Sequence, residues 1–457
     1  MAVTNFSLIP LTTPTSVNLT TAGSQRPTDA VLLANGNALS VYIDFGATGN
    51  VYLRQITPAG VPTGPEVKVN SVAGIDQGGF FDHSAQAARL ANGSIVVTWA
   101  DSGAVPAVHY RLFDTNLNPL STVMNITFGA GKPRHAPDVA ALTNGGFVIS
   151  FERDVGGTEF DVYAQRFDSV GNQVGAIVTV NATPGLGDYV PSVAVLTDGG
   201  FAIAHQRDNS ATLGIEQWRS VWNADGSNRI PDAQFDATGT INIGADVLAL
   251  SGGGFLVSYS DNGWTANARD DITSAAFSAA GSLANYARDT NAPGVINASA
   301  AKSALSPDGY VFVSNYQVAV FPHTFGALLS PDGRTVLGSQ LTVDAGVGSQ
   351  YFPAPVWLDR TRILVTELVD NGAVGSDSDM SGVAALIVKV YRTAVGTNAA
   401  ETLNYTADAF DTTITEGSGN NTIYAGVGAY NIITNGGDNT IIGGAGRSEE
   451  RRVGKEC

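Results

Sequence analysis

The chain has 457 residues, 41 acidic and 24 basic, with a formal net charge of −17. That acidity argues against nucleic acid as a partner, because phosphate binding needs a basic patch, and no run approaches the roughly 20 apolar residues that span a bilayer. With 53 glycines, 44% hydrophobic residues and many short Val/Ile/Phe/Tyr runs, the composition predicts an all-β chain with a sizeable core.

The N-terminal segment MAVTNFSLIPLTTPTSVN has neither a basic start nor a long apolar run, so it does not read as a Sec-type signal. Two readings follow: a cytoplasmic protein, or one exported through a C-terminal signal.

From Leu32 onward one phrase recurs: an alternating apolar run, a turn with Asn or Asp beside Gly, then a second apolar run. The second runs begin at Ala38, Ile95, Phe147, Phe201, Phe255, Tyr310 and Ile363, spaced by 57, 52, 54, 54, 55 and 53 residues. Each unit is long enough for four short strands. In the third, APDVAAL and FVISF flank Asn144-Gly145, and EFDVYAQRF and VGAIVTVN flank a second turn. Repeats of this size without helical periodicity predict a seven-bladed β-propeller over residues 1–395. The last unit ends near Arg392 after its third strand, so an N-terminal strand near Phe6 to Leu19 is expected to close the last blade.

An acidic residue opens the second-to-third-strand loop in six units: Asp44, Asp101, Asp154, Asp208, Asp261 and Asp370. Two readings stay open. Each caps its loop as an Asx-turn, or together they form a ring of carboxylates for cations or hydroxyl-rich ligands. Trp264, with Phe80, Phe81, Tyr189, Tyr351 and Phe352, is expected on the same face. Aromatics beside carboxylates suit a sugar, and equally they fill space between blades. There is no His-Glu-x-x-His helix or Gly-x-Ser-x-Gly elbow, and the only cysteine is Cys457. The expectation is therefore a binding protein and not an enzyme.

After Ala394 the period falls to nine: EGSGNNTIY, AGVGAYNII and TNGGDNTII are consecutive from Glu416. These strings resemble the RTX (hemolysin-type) nonapeptide, which winds a parallel β-roll around calcium. The resemblance implies a truncated roll over residues 396–446 with Ile414, Ile423, Ile432 and Ile441 stacked inside. Its implied calcium ligands are Gly417, Gly419, Asn421, Gly426, Gly428, Gly437, Asp438 and Asn439, although Asn421, Tyr430 and Asn439 stand where the family carries Asp. The propeller phrases also resemble repeats of large secreted bacterial proteins ending in such rolls. That implies a secreted, extracellular, calcium-linked adhesin with a carbohydrate or cell-surface ligand, exported by type I secretion machinery through a C-terminus lying beyond this sequence. The alternatives are an extracellular polysaccharide-active enzyme and a structural spacer of a larger exoprotein. The last eleven residues, RSEERRVGKEC, resemble a translated sequencing adapter, and 447–457 are set aside as an artefact.

Overall fold

The computed structural model describes residues 3–19, 24–45, 49–71, 85–101, 107–126, 132–133, 136–156, 159–181, 186–209, 214–236, 241–262, 271–289, 296–297, 301–318, 323–338, 341–343, 349–370, 381–405, 410–444 and 448–452. All regular structure among them is β; no helix is long and apolar enough to cross a membrane.

The third unit shows how the repeats fold. Asp138–Ala141, Phe147–Gly156, Glu159–Phe167 and Gln173–Thr179 pair antiparallel in chain order. Between the first two, Asn144 Oδ1 accepts the Gly146 N–H at 3.0 Å, and Gly145 sits at φ 91°. Only glycine adopts that conformation without strain, which explains the Asn-Gly signal. The first strands of successive units touch all the way round, and the last touches the first, so they line a central axis. Apolar clusters fill each junction between consecutive units, including that of the last unit with the first through Tyr42, Leu364 and Ile387.

Counted by hydrogen-bonded sheets, the propeller has six blades, where the sequence predicts seven. The fourth and fifth units share one eight-stranded sheet through a parallel bridge, Ile215↔Ile241. The cause is local. Asn228–Asp236 pairs with Gln217–Trp222 through three register shifts and does not reach Ile215, whose edge accepts Ile241 instead.

The N-terminal segment closes the last blade, with a longer register than expected. Val3–Pro10 pairs with Val388–Val395, and Thr15–Ser16 with Ala384–Ala385. Phe6 inserts into the core beside Phe410, with ring centroids 5.5 Å apart.

Around the axis a belt of side chains ties four of the first strands to the next. Asp29 accepts the Ala87 N–H, Asp138 the Val193 N–H, Ser192 the Val247 N–H and Asp246 the Ser303 N–H. Lys302 reaches from the sixth unit to Gln86 of the second at 3.1 Å and lies 3.9 Å from Asp246. Burial raises the Asp29 carboxyl to about 6 and also raises Asp138 and Asp246, while Lys302 pulls all three back down.

The boundary expected at residue 395 is not a break in the structure. Ser381–Val395 pairs antiparallel with Arg362–Asp370 and then, through Tyr391–Val395, parallel with Asp411–Thr415. Two parallel sheets continue from there, with neighbouring strands eighteen residues apart (Ile414↔Ile432, Ile423↔Ile441). Ile414, Ile423 and Ile432 are buried between them with Tyr405 and Tyr430, and Ile441 is partly buried. The segment set aside as an artefact is not left out of the fold: Ser448–Arg452 adds a parallel strand beside Tyr430–Thr434.

Candidate active site

The six loop carboxylates are not equivalent. Asp44, Asp101 and Asp261 stand six residues after Ala38, Ile95 and Phe255, whereas Asp154, Asp208 and Asp370 stand seven after Phe147, Phe201 and Ile363. Side chains alternate across a strand, so a one-residue offset turns Asp44 and Asp101 to one face and Asp154 and Asp208 to the other. Asp101 accepts the Ala107 N–H at 3.0 Å and meets His109 Nε2 at 2.7 Å. Asp44 is buried and accepts from Asn50 at 3.4 Å, whereas Asp208 is exposed. Asp154 is half-buried at a register shift; Asp261 and Asp370 pair through their backbones with Asp271 and Ser381. The Asx-turns expected there occupy the opposite end of the units, where Asn92, Asn144 and Asp198 each accept the N–H two residues on. Trp264, Phe80 and Phe81 lie outside the described residues.

The roll turns also differ from expectation. Asn421 Oδ1 accepts the Glu401 N–H at 3.0 Å, and Asn439 Oδ1 accepts the Asn421 N–H at 2.9 Å. The Asn439 amide donates to the carbonyls of Gly436 and Gly437, that of Asn421 to Gly419, and the Asp438 N–H to Asn420. The groups read as calcium ligands therefore stitch successive turns together. Gly417, Gly419 and Gly437 are needed for closeness: an added Cβ would lie 2.3–2.4 Å from the carbonyl oxygens of Thr397, Ala399 and Gly419. Gly426 and Gly428 are buried in the turn before Tyr430. Among the described residues, no group of three or more His, Cys, Asp or Glu side chains could hold a metal ion.

The chemistry that does converge lies between the third and fourth units, at the end carrying the variable loops. Glu152, near the end of Phe147–Gly156, is buried, and its Oε1 accepts the Val190 N–H at 2.6 Å. Burial lifts its carboxyl to about 7, against which the Val190 hydrogen bond acts only in part. Val190 sits at φ 50°, a costly conformation for a β-branched residue, where its strand slips register between Tyr189 and Ser192. The bulge sets Tyr189 half-buried against Phe160, with ring centroids 5.4 Å apart. Burial raises the Tyr189 hydroxyl, helped by the charges of Asp208, Glu152 and Asp188. Gly187 is needed beneath it, since a Cβ there would fall 2.0 Å from the hydroxyl oxygen.

Behind this pair is a buried ion network. Arg207 Nε meets Asp188 Oδ1 at 2.7 Å, and its Nη2 meets Asp232 Oδ2 at 3.1 Å. His205 bridges the same two carboxylates at 3.2 and 2.9 Å. Burial alone would depress the imidazole, but Asp232 and Asp188 outweigh it and raise His205 to about 9. The Arg207 guanidinium stacks 3.7 Å over Trp218, whose indole N–H donates to Glu216. With both cations charged, two positive groups meet two negative ones, so the network fixes Asp188 and hence its neighbour Tyr189. Nothing in the sequence reading singled out Glu152, Arg207 or Asp232. Tyr189 is expected there only as a loop aromatic.

No protein-family model matches the chain, and no curated protein matches it. Many solved structures share its fold. A polysaccharide lyase of family PL25, an ulvan lyase bound to a GlcA–Rha3S saccharide, aligns with TM-score 0.51 and 12% identity over 86% of this chain and 95% of its own. An α-L-arabinofuranosidase from Fusarium graminearum aligns with TM-score 0.44 and 9% identity over 85% and 97%. An α-L-arabinanase from Penicillium chrysogenum complexed with arabinobiose gives 0.44 and 10% over 85% and 98%. The likeness to the lyase shows a β-propeller. The expectation that the chain is not an enzyme is withdrawn, because the missing hydrolase and zinc motifs do not exclude catalysis on a fold that a polysaccharide lyase shares.

Proposed function

We propose that the protein is a polysaccharide-active enzyme whose site is the Glu152–Tyr189 pair between the third and fourth units. The observation that carries this reading is Glu152 itself: buried, bound to the N–H of a strained Val190, and titrating at about 7. A carboxyl poised near neutral pH serves as a general acid or base for cleaving a glycosidic bond. Tyr189 and Phe160 offer an aromatic surface for a sugar ring, and the His205–Arg207 network is a positioning device. The ulvan lyase supplies the ligand class to test first, anionic and arabinose-containing polysaccharides being the natural panel. In this reading the double sheet works as two blades, giving seven units around the axis. The parallel roll has the form that the RTX resemblance implies, and on that resemblance the enzyme would be exported and act outside the cell.

The test is a panel of uronate-rich and neutral polysaccharides, followed by new reducing ends and by the ultraviolet absorbance of unsaturated uronates. Glu152→Gln and Tyr189→Phe should each abolish whichever signal the wild type gives. Turnover that survives Glu152→Gln unchanged would remove this site from consideration.

A further inference from the structure

We propose that Asn435 is a site of spontaneous deamidation, where the Gly436 backbone nitrogen displaces the side-chain amide, and that the Asn-Gly turns of the propeller are protected from the same reaction. The attack is least hindered at an Asn-Gly step, because glycine has no Cβ to keep its nitrogen from the preceding side chain. Among the described residues such steps stand at 35–36, 92–93, 144–145 and 435–436; those at 262–263 and 371–372 reach outside them.

The propeller steps are closed twice over. The N–H groups of Gly36, Gly93 and Gly145 donate to the carbonyls of Leu33, Leu90 and Leu142 at 3.1, 2.9 and 3.0 Å. The Oδ1 atoms of Asn35, Asn92 and Asn144 accept the N–H groups of Asn37, Ser94 and Gly146 at 3.0, 2.9 and 3.0 Å. Nucleophile and target are both engaged, so the turn must open before they can react. In the roll the nitrogen is bare. Asn435 is exposed, and among the described residues no acceptor takes the Gly436 N–H. Gly436 stands at φ 157°, whereas Gly36, Gly93 and Gly145 stand at 83°, 87° and 91°. The Asn435 amide donates only outward, to the Glu416 carbonyl at 2.8 Å.

The step needs water alone. The Gly436 nitrogen forms a bond to Asn435 Cγ, the Cγ–Nδ2 bond breaks, and ammonia leaves with the backbone proton. Water then opens the cyclic imide at either carbonyl, leaving aspartate or isoaspartate at position 435. Either product deletes the donor to Glu416. The isoaspartyl form also adds a carbon to the main chain directly after the pair Glu416↔Thr434. The coil containing Tyr430–Thr434 therefore loosens with age, and the propeller turns do not.

The experiment is peptide mapping by mass spectrometry of the full chain, aged for days in warm, mildly alkaline buffer, folded in one sample and in urea in another. The reading at each asparagine is the mass gained when the amide becomes a carboxyl. In the folded chain Asn435 should convert at least about tenfold faster than Asn35, Asn92 and Asn144, the protection expected when hydrogen bonds must open first. In urea all of them should convert at similar rates. The longer side chain of Asn435→Gln closes its ring far more slowly, so that variant should keep its amide over the same time. The proposal is overturned if a propeller asparagine converts as fast as Asn435 in the folded chain, or if Asn435 survives folded while it converts in urea. It is also overturned if the rates stay as unequal in urea, which would assign the order to sequence and not to the fold, or if Asn435→Gln loses its amide at the wild-type rate, which would mean direct hydrolysis.

Discussion

Replacing Glu152 by Gln should stabilise the protein in alkaline solution while leaving it unchanged in acid. Burial raises this carboxyl from 4.5 to about 7. A raised acid holds its proton more tightly in the folded state. Its stability contribution is therefore complete below the unfolded value of 4.5, is lost as pH climbs to about 7, and stays lost above. At about 1.4 kcal/mol per pH unit between the two values, the loss comes to about 3 kcal/mol. Glutamine stays neutral and keeps an oxygen for the Val190 N–H, so it escapes that loss. Urea denaturation at about pH 4 and about pH 8 reads the difference directly, as a shift in midpoint at constant slope. Asp29, also raised by burial, to about 6, is common to both proteins and cancels. Equal differences at both pH values, or a glutamine variant less stable in alkali, would refute the assignment. Gained stability with lost turnover is the trade expected of a strained active site.

Phe6→Ala should destabilise by about 3–5 kcal/mol, as for other buried Phe truncations, because Phe6 packs with Phe410 and Trp357 at the closure; a midpoint shift worth under about 1 kcal/mol would show that the closing strand is dispensable. Lys302→Met should leave Asp29, Asp138 and Asp246 without their shared cation and cost about 3 kcal/mol. The cost should grow as pH rises through about 6, where Asp29 ionises, and a pH-independent loss would show that the belt is held by hydrogen bonds alone. Asn421→Ala should cost about 1–3 kcal/mol by orphaning the Glu401 N–H, measured in the same denaturation assay; an unchanged midpoint would mean that the Asn side chains do not hold the turns together.

The repeats were legible because six of the seven units carry two local signals, alternation and a turn glycine at positive φ, and these need no long-range information. The closing strand was legible from what the last unit lacks. Fusion of the fourth and fifth sheets was not, because it depends on register shifts opposite Gln217–Trp222 that composition does not encode. The expected carboxylate ring passed over a detail present in the numbering: offsets of six and seven place Asp44 and Asp154 on opposite strand faces. The buried network was also visible in part. At the fourth residue after the start of the second run, the first, second, third and fifth units carry Tyr42, Trp99, Phe151 and Tyr259, whereas the fourth, sixth and seventh carry His205, Ser314 and Glu367. A buried ionisable group in a mainly aromatic column, His205 or Glu367, marks a departure from the repeat. The partner of His205, Asp232 on an outer strand, could not be paired with it without the fold.

The strand Ser381–Val395 belongs to both halves of the molecule. A stacked solenoid is held by contacts between neighbouring coils, so its first coil is normally its weakest and needs a cap. Here the last blade is that cap, presenting Tyr391–Val395 as a finished template on which Asp411–Thr415 is laid. The N-terminal strand Val3–Pro10 pairs with the same Tyr391–Val395 stretch, so a fault in that strand would be felt as fraying of the coil laid on this template.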